Sequence, residues 1–168
     1  MSAPLDKSYV GVINPFIRAT VNAMKTMVYM EPRRTNLHIK KDNIMKGDIS
    51  AIMGLTGTAS GTAVLSFSER LAIKIFSNMI CMKANSEPQA QGITLEVEDS
   101  MREMINLVGG GAKNEFTNSE FHFMVGIPSI ISGSGHRISR DPKVPCIACD
   151  FEAEGEPFFL EISLSVGK

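Results

Sequence analysis

From Phe158 to Val166 the chain alternates without a break: Phe158, Leu160, Ile162, Leu164 and Val166, with Phe159, Glu161, Ser163 and Ser165 between them. A sustained period of two is the mark of a strand with one face in a core. Whatever this chain folds into therefore contains a sheet, and something must cover its apolar face. Glu154-Gly155 just before is a turn signal, so Cys146 to Phe151 reads as the hairpin partner of this strand.

Other segments supply the cover and more strands. Pro15 opens a run with Phe16, Ile17, Thr20, Val21, Met24, Met27 and Val28 on one face, an amphipathic helix with Asn14 as N-cap and Glu31-Pro32 as its stop. Thr35 to Lys41 alternates as a half-exposed strand. Asp48 to Leu55 and Gly61 to Phe67 are β-rich, and Gly57 to Gly61 between them is a hairpin turn. Ser68 with Glu69 starts a second helix through Leu71, Ile75, Met79 and Ile80; residues 83–92 form a polar loop, and a third helix runs from about Thr94 to about Lys113. Phe121, Phe123 and Val125 alternate before Ile127-Pro128. The expected class is α+β, a mainly antiparallel sheet with long helices packed on it, in one domain spanning 1–168.

Composition narrows the function classes. The 168 residues carry 17 Lys plus Arg against 18 Asp plus Glu, a net charge of −1, which gives no electrostatic reason to expect nucleic acid. Three Cys make a disulfide framework unlikely to be the design and fit a reducing compartment. Met1 to Val10 has no basic region followed by an apolar run, and no stretch reaches the roughly 18 to 20 apolar residues of a membrane span. A soluble, cytoplasmic protein is expected. The oddity is 11 Met with no Trp, and Met at helical spacing reads as core.

The third helix is the informative one. On a wheel of about 100° per residue, Glu96, Asp99, Glu103, Asn106 and Gly110 gather within about 80° of arc. Val97, Met101, Met104, Ile105 and Val108 occupy the other side. Glu103 and Asn106, three apart, are neighbours on the polar face. Gly109, Gly110 and Gly111 follow where the helix should still run, each costing roughly 0.5–1 kcal/mol relative to Ala. Either they cap the helix or they leave a bare surface for close approach. Taken alone, an acidic stripe describes a solvated helix face.

Asp99, three residues, Glu103, two residues, Asn106, then 21 residues and Pro128 is similar to the D/S-x3-E-x2-N-x21-P signature of the CheC/CheX/FliY phosphatases of bacterial chemotaxis. Asn106-Leu-Val-Gly-Gly-Gly-Ala-Lys113 resembles the family's segment after its Asn. Gly54-Leu-Thr-Gly57 to Ser60-Gly61-Thr-Ala-Val-Leu-Ser-Phe-Ser-Glu69 resembles its central hairpin and following helix, and Asn14-Pro15-Phe16 the start of a first helix. The first helix offers Ala19 with Asn22, without the Glu and with Ile44 where the Pro would fall. One site per chain and the short length match the CheX-type branch.

The resemblance implies hydrolysis of the aspartyl phosphate of a CheY-like response regulator. The regulator would supply Mg2+ and a Lys, and this chain would need no metal of its own. Asn106 would orient the attacking water, and its neutral amide would not repel the phosphoryl group. Glu103 would pair with the regulator's active-site Lys, Asp99 would help docking or helix orientation, Gly110 would keep the helix flat for the partner, and Pro128 would be structural, at a strand end beneath the site. It also implies a homodimer, for which the last strand is read as a free edge. The alternative is a non-catalytic receiver-binding module related to flagellar switch proteins.

Other signals are set aside. Cys146-Ile-Ala-Cys149 lacks companion ligands at metal spacing, sits in a strand and points to two faces, so both thiols read as buried and structural. His136 in Gly-Ser-Gly-His-Arg reads as an exposed loop residue. Gly109-Gly-Gly111 follows a helix and is no phosphate loop of the strand-loop-helix kind. Arg33-Arg34 and Lys40-Lys41 are too short to mark a nucleic-acid surface.

Overall fold

The computed structural model describes residues 7–84, 91–117 and 120–166; most of the polar loop read at 83–92 lies outside them. In chain order the elements are α1 (Lys7–Met27), β1 (Arg33–Lys40), β2 (Ile49–Gly57), β3 (Ala59–Phe67), α2 (Glu69–Ala84), α3 (Leu95–Glu115), β4 (Phe123–Val125), β5 (Ser129–Ser132), β6 (Cys146–Ala153) and β7 (Glu156–Val166). The strands form one antiparallel sheet in the order β1-β6-β7-β3-β2, with β4 and β5 both on the outer edge of β2. The α+β expectation is met.

The period-two strand builds the core as read. Phe158, Leu160, Ile162 and Leu164 are buried in one large cluster with α1, α2 and α3. Phe151 and Phe67 stack on Phe158 from the neighbouring strands, with ring centroids 4.9 and 5.5 Å apart. The β6–β7 hairpin closes through Glu154 and Gly155, at φ of 49° and 78°, the two positive values that a two-residue turn with strand-like twist requires. Met24, Met79, Met101 and Met104 are buried on the helices, as helical spacing suggested, and Met30, Met45 and Met53 are buried outside them.

Two expectations need correction, and one feature was not anticipated. First, α1 runs from Lys7 to Met27, and Pro15 sits inside it. The proline forfeits one backbone hydrogen bond, and burial of Val12, Ile13, Phe16 and Ile17 around it offsets that loss. The helix stops before Pro32: Tyr29 turns to a φ of 58° and Met30 N–H bonds back to Met24 O at 3.1 Å.

Second, β7 is not a free edge. It pairs with β3 from Ala59↔Val166 to Phe67↔Phe158 and with β6 from Cys146↔Ser163 to Ala153↔Glu156. The unpaired edges belong to β1 and to β4 and β5.

The unanticipated feature is on the other face of β7. Glu161 and Ser163 are buried there, beneath a second small cluster of Met45, Val64 and Ile138. Glu161 receives Lys40 Nζ on Oε1 at 2.5 Å and Arg140 Nη2 on Oε2.

Candidate functional site

Thr94 caps α3 from extended backbone, its hydroxyl accepting Val97 N–H at 3.5 Å. The Glu96 carboxylate takes its own backbone N–H and the Thr94 hydroxyl, which holds it below the usual carboxylate range. Val97, Met101, Met104, Ile105 and Val108 are fully buried. Each such side chain contributes about 1.5–3 kcal/mol, so α3 is a firmly seated platform.

The three glycines do not cap the helix, which continues to Glu115. Each has its own reason. A Cβ on Gly109 would run into the Met53 sulfur of β2 and stand 3.2 Å from Val125 Cγ1 of β4. A Cβ on Gly111 would stand 3.0 Å from Ala19 Cβ of α1. At Gly110 nothing lies within 4 Å, so there the backbone is bare. Gly109 marks the side of α3 toward β4, and Gly111 the side toward α1. Between them, on the outer arc, lie Asn106, Gly110 and Glu103 in that order from the β4 side.

The polar stripe divides on inspection. Asp99 is engaged by Arg102 Nη1 at 2.5 Å, and Glu98 by Arg102 Nη2 at 3.6 Å. Glu103 and Asn106 are exposed, and among the described residues no hydrogen bond or ion pair holds either side chain. The helix is fixed and these two polar ends are uncommitted. Asp99 is thus tied into its own helix, and Gly110 keeps the surface next to Asn106 flat.

Pro128 lies in a break rather than at a simple strand end. Val125 pairs with Leu55 and Ser129 with Ile52, so Gly126, Ile127 and Pro128 oppose Met53 and Gly54, one residue too many. This is a β-bulge. Gly126 N–H keeps one bond, to Gly54 O at 2.8 Å, and proline sits where no ladder donor is needed. Met124 Sδ lies 3.8 Å from Lys113 Nζ, and Val125 lies against Gly109. Strand and helix therefore run in opposite directions here. Three strand residues span about 10 Å and seven helical residues about 10.5 Å, which brings the bulge level with Asn106. The 21-residue spacing from Asn106 to Pro128 has this geometric meaning.

The remaining sequence signals fall elsewhere. Cys149 is buried in the main core, where burial pushes its thiol up to about 12. Cys146 is on the other sheet face, 3.9 Å from Glu161 Oε2; burial raises its thiol, with Arg140 pulling the other way. Both are buried, as read. His136 is in a loop but half-buried: Nδ1 meets Gly133 O at 2.6 Å and Nε2 meets Ser50 Oγ at 2.7 Å. Gly133 O can only accept, so Nδ1–H donates in that contact. The sequence reading missed this latch and the Lys40–Glu161–Arg140 network; Glu161 as the one charged residue between Phe158 and Val166 was the available signal. Among the described residues no group of three or more His, Cys, Asp or Glu is placed to hold a metal, and no helix is long and apolar enough to cross a membrane.

Comparison with known proteins bears on the same face. The family model described as chemotaxis phosphatase CheX matches residues 49–152, which include Asp99, Glu103, Asn106 and Pro128. No curated protein sequence matches. The chemotaxis protein CheX from Vibrio vulnificus has a similar solved structure, at 33% identity and TM-score 0.82, covering 92% of this chain and 99% of that one. CheX from Desulfovibrio desulfuricans is similar at 31% identity and TM-score 0.82, again over 92% and 99%. The CheX–CheY–BeF3–Mg2+ complex from Borrelia burgdorferi matches in fold at 21% identity and TM-score 0.74, covering 91% and 97%. With its D-x3-E-x2-N helix, its bulge proline and these likenesses over most of its length, the chain belongs to the chemotaxis phosphatase CheX family.

Proposed function

We propose that this chain hydrolyses the aspartyl phosphate of a CheY-like response regulator, using Glu103 and Asn106. The observation that carries the reading is the pairing of two exposed, uncommitted polar ends, one turn apart, on a helix whose opposite side is fully buried. The Borrelia relative is solved with CheY, Mg2+ and BeF3, and BeF3 is a mimic of a phosphoryl group.

The chemistry needs little from this side. An acyl phosphate is already activated; water forms a new P–O bond as the bond to the aspartate oxygen breaks, releasing phosphate and a carboxylate. Mg2+ and a Lys of the regulator neutralise the phosphoryl charge. Asn106 both accepts and donates hydrogen bonds, so its carboxamide orients water for in-line attack without adding negative charge. Glu103 pairs with the regulator's Lys and sets the approach. Asp99, held by Arg102, supports that orientation and the docking charge pattern. Gly110 lets the partner's surface come close to the helix backbone, and Pro128 shapes the bulge beside it.

In this reading the chain works in the cytoplasm, where its substrate is, as one 1–168 domain and as a homodimer. Edge pairing would then use β1 or β4 and β5, because β7 is paired on both sides. Phosphate release from a receiver domain phosphorylated with acetyl phosphate, with and without the protein, tests the proposal. Acceleration is expected. Binding without acceleration would favour the non-catalytic receiver-binding module.

A further inference from the structure

Ile127 is the most exposed large apolar side chain among the described residues, at 93%, and Met124 on β4 is exposed at 62%. The other methionines whose burial is given are buried or half-buried, so Met124 stands apart from the pattern that explains the rest. Met124 reaches the flank of α3 that borders Asn106, and Ile127 stands three residues on, in the bulge of the same edge. Met124 touches Lys113 Nζ through its sulfur, and the bulge lifts Ile127 out of the ladder level with Asn106. A β-bulge re-aims a side chain in this way.

Size decides what this pair meets. A specific interface covers about 800 Å2 on each partner, a disc of about 16 Å radius. A partner whose phosphoryl group reaches Asn106 is centred there. Ile127, level with Asn106 on the adjoining strand edge, falls inside the disc, and Met124 falls toward its rim. Interface cores favour apolar residues, with Met enriched, over charged ones.

We propose that Ile127, with Met124 beside it, is the apolar pad on which the receiver domain seats itself as its phosphoryl group meets Asn106. This rests on the phosphatase reading above, and assigns substrate affinity to the bulge and hydrolysis to the helix. The receiver accordingly presents an apolar patch next to its phosphorylated aspartate.

The test uses the full chain and two readouts: Kd for a receiver domain activated with beryllofluoride, and kcat and KM for the receiver phosphorylated with acetyl phosphate. Ile127→Asp is expected to raise Kd and KM tenfold or more while kcat at saturation stays within twofold. Ile127→Leu is expected to behave as wild type. Asn106→Ala is expected to do the reverse, losing kcat and keeping Kd. Circular dichroism and Tm of Ile127→Asp should match wild type, since the side chain is in water. Unchanged Kd and KM in Ile127→Asp, with Asn106→Ala inactive, would overturn the pad and leave the phosphatase reading standing. Loss of a dimer in Ile127→Asp without a change in Kd would likewise overturn it, by assigning the pad to a second copy. Tight binding without hydrolysis by wild type would end the phosphatase reading, yet a weakened Ile127→Asp would still uphold the pad.

Discussion

Gly111 of α3 lies against Ala19 of α1 so closely that an added Cβ would stand 3.0 Å from the Ala19 Cβ. The two helices meet there with no room for a larger side chain. Gly111→Val is therefore expected to cost about 1–3 kcal/mol, or roughly 2–4 °C in Tm for each kcal/mol. Gly110→Ala faces open space and is expected to be neutral, or stabilising by up to about 1 kcal/mol. Thermal melts of the two variants check this, and equal Tm values would contradict the distinct packing of the two glycines.

A size series at Gly110 separates fold from function. Gly110→Ala and Gly110→Leu should both melt close to wild type, because a Cβ at this position meets nothing within 4 Å. Gly110→Leu, one turn from Asn106, should lower phosphate release from a phosphorylated receiver by tenfold or more through KM. Full activity in Gly110→Leu would mean the partner does not approach this stretch of helix.

The Lys40–Glu161–Arg140 network lies on the sheet face away from α3. Side-chain exposure is 4% for Lys40, 3% for Glu161 and 6% for Arg140. Glu161→Ala would strand two buried cations, a loss of about 3–5 kcal/mol, read as a lower urea midpoint. Activity per folded molecule should not change. A large drop in activity with unchanged stability would connect this network to the site.

Cys149 links stability to alkaline pH. Burial raises its thiol from a reference of 9.0 to about 12, so the folded state holds the proton that the unfolded state releases. Its contribution is complete below pH 9 and declines as pH rises from about 9 to about 12. Cys146, also raised, acts in the same direction. Native protein at pH 8 should leave Cys146 and Cys149 unlabelled by iodoacetamide, and urea-unfolded protein should label both, as read by peptide mass spectrometry. Rapid labelling of either in the native state would contradict its burial.

Much of the site was legible because it rests on local rules. The buried stripe of α3 and the exposure of Asp99, Glu103 and Asn106 follow from a helical period and are as read. What was hidden depends on partners distant in sequence. The bulge at Gly126–Pro128 exists only against Met53 and Gly54 of β2. The three glycines look alike in sequence, and the structure divides them among β2 and β4, open space and α1. The burial of Glu161 was hidden because its cations, Lys40 and Arg140, come from positions distant in sequence. Pro15 was read as a helix start, because a period pattern does not reveal that buried neighbours compensate a missing hydrogen bond.

The central claim is that one neutral amide on α3 performs the water-positioning step. Asn106 is exposed and uncommitted, so Asn106→Ala should shift stability by no more than about 0.5 kcal/mol. The decisive measurement is phosphate release from a phosphorylated receiver by wild type, Asn106→Ala and Glu103→Ala, each with Tm measured alongside. Loss of most of the acceleration in both variants at unchanged Tm is the expected result. Wild-type release rates in both would contradict the account.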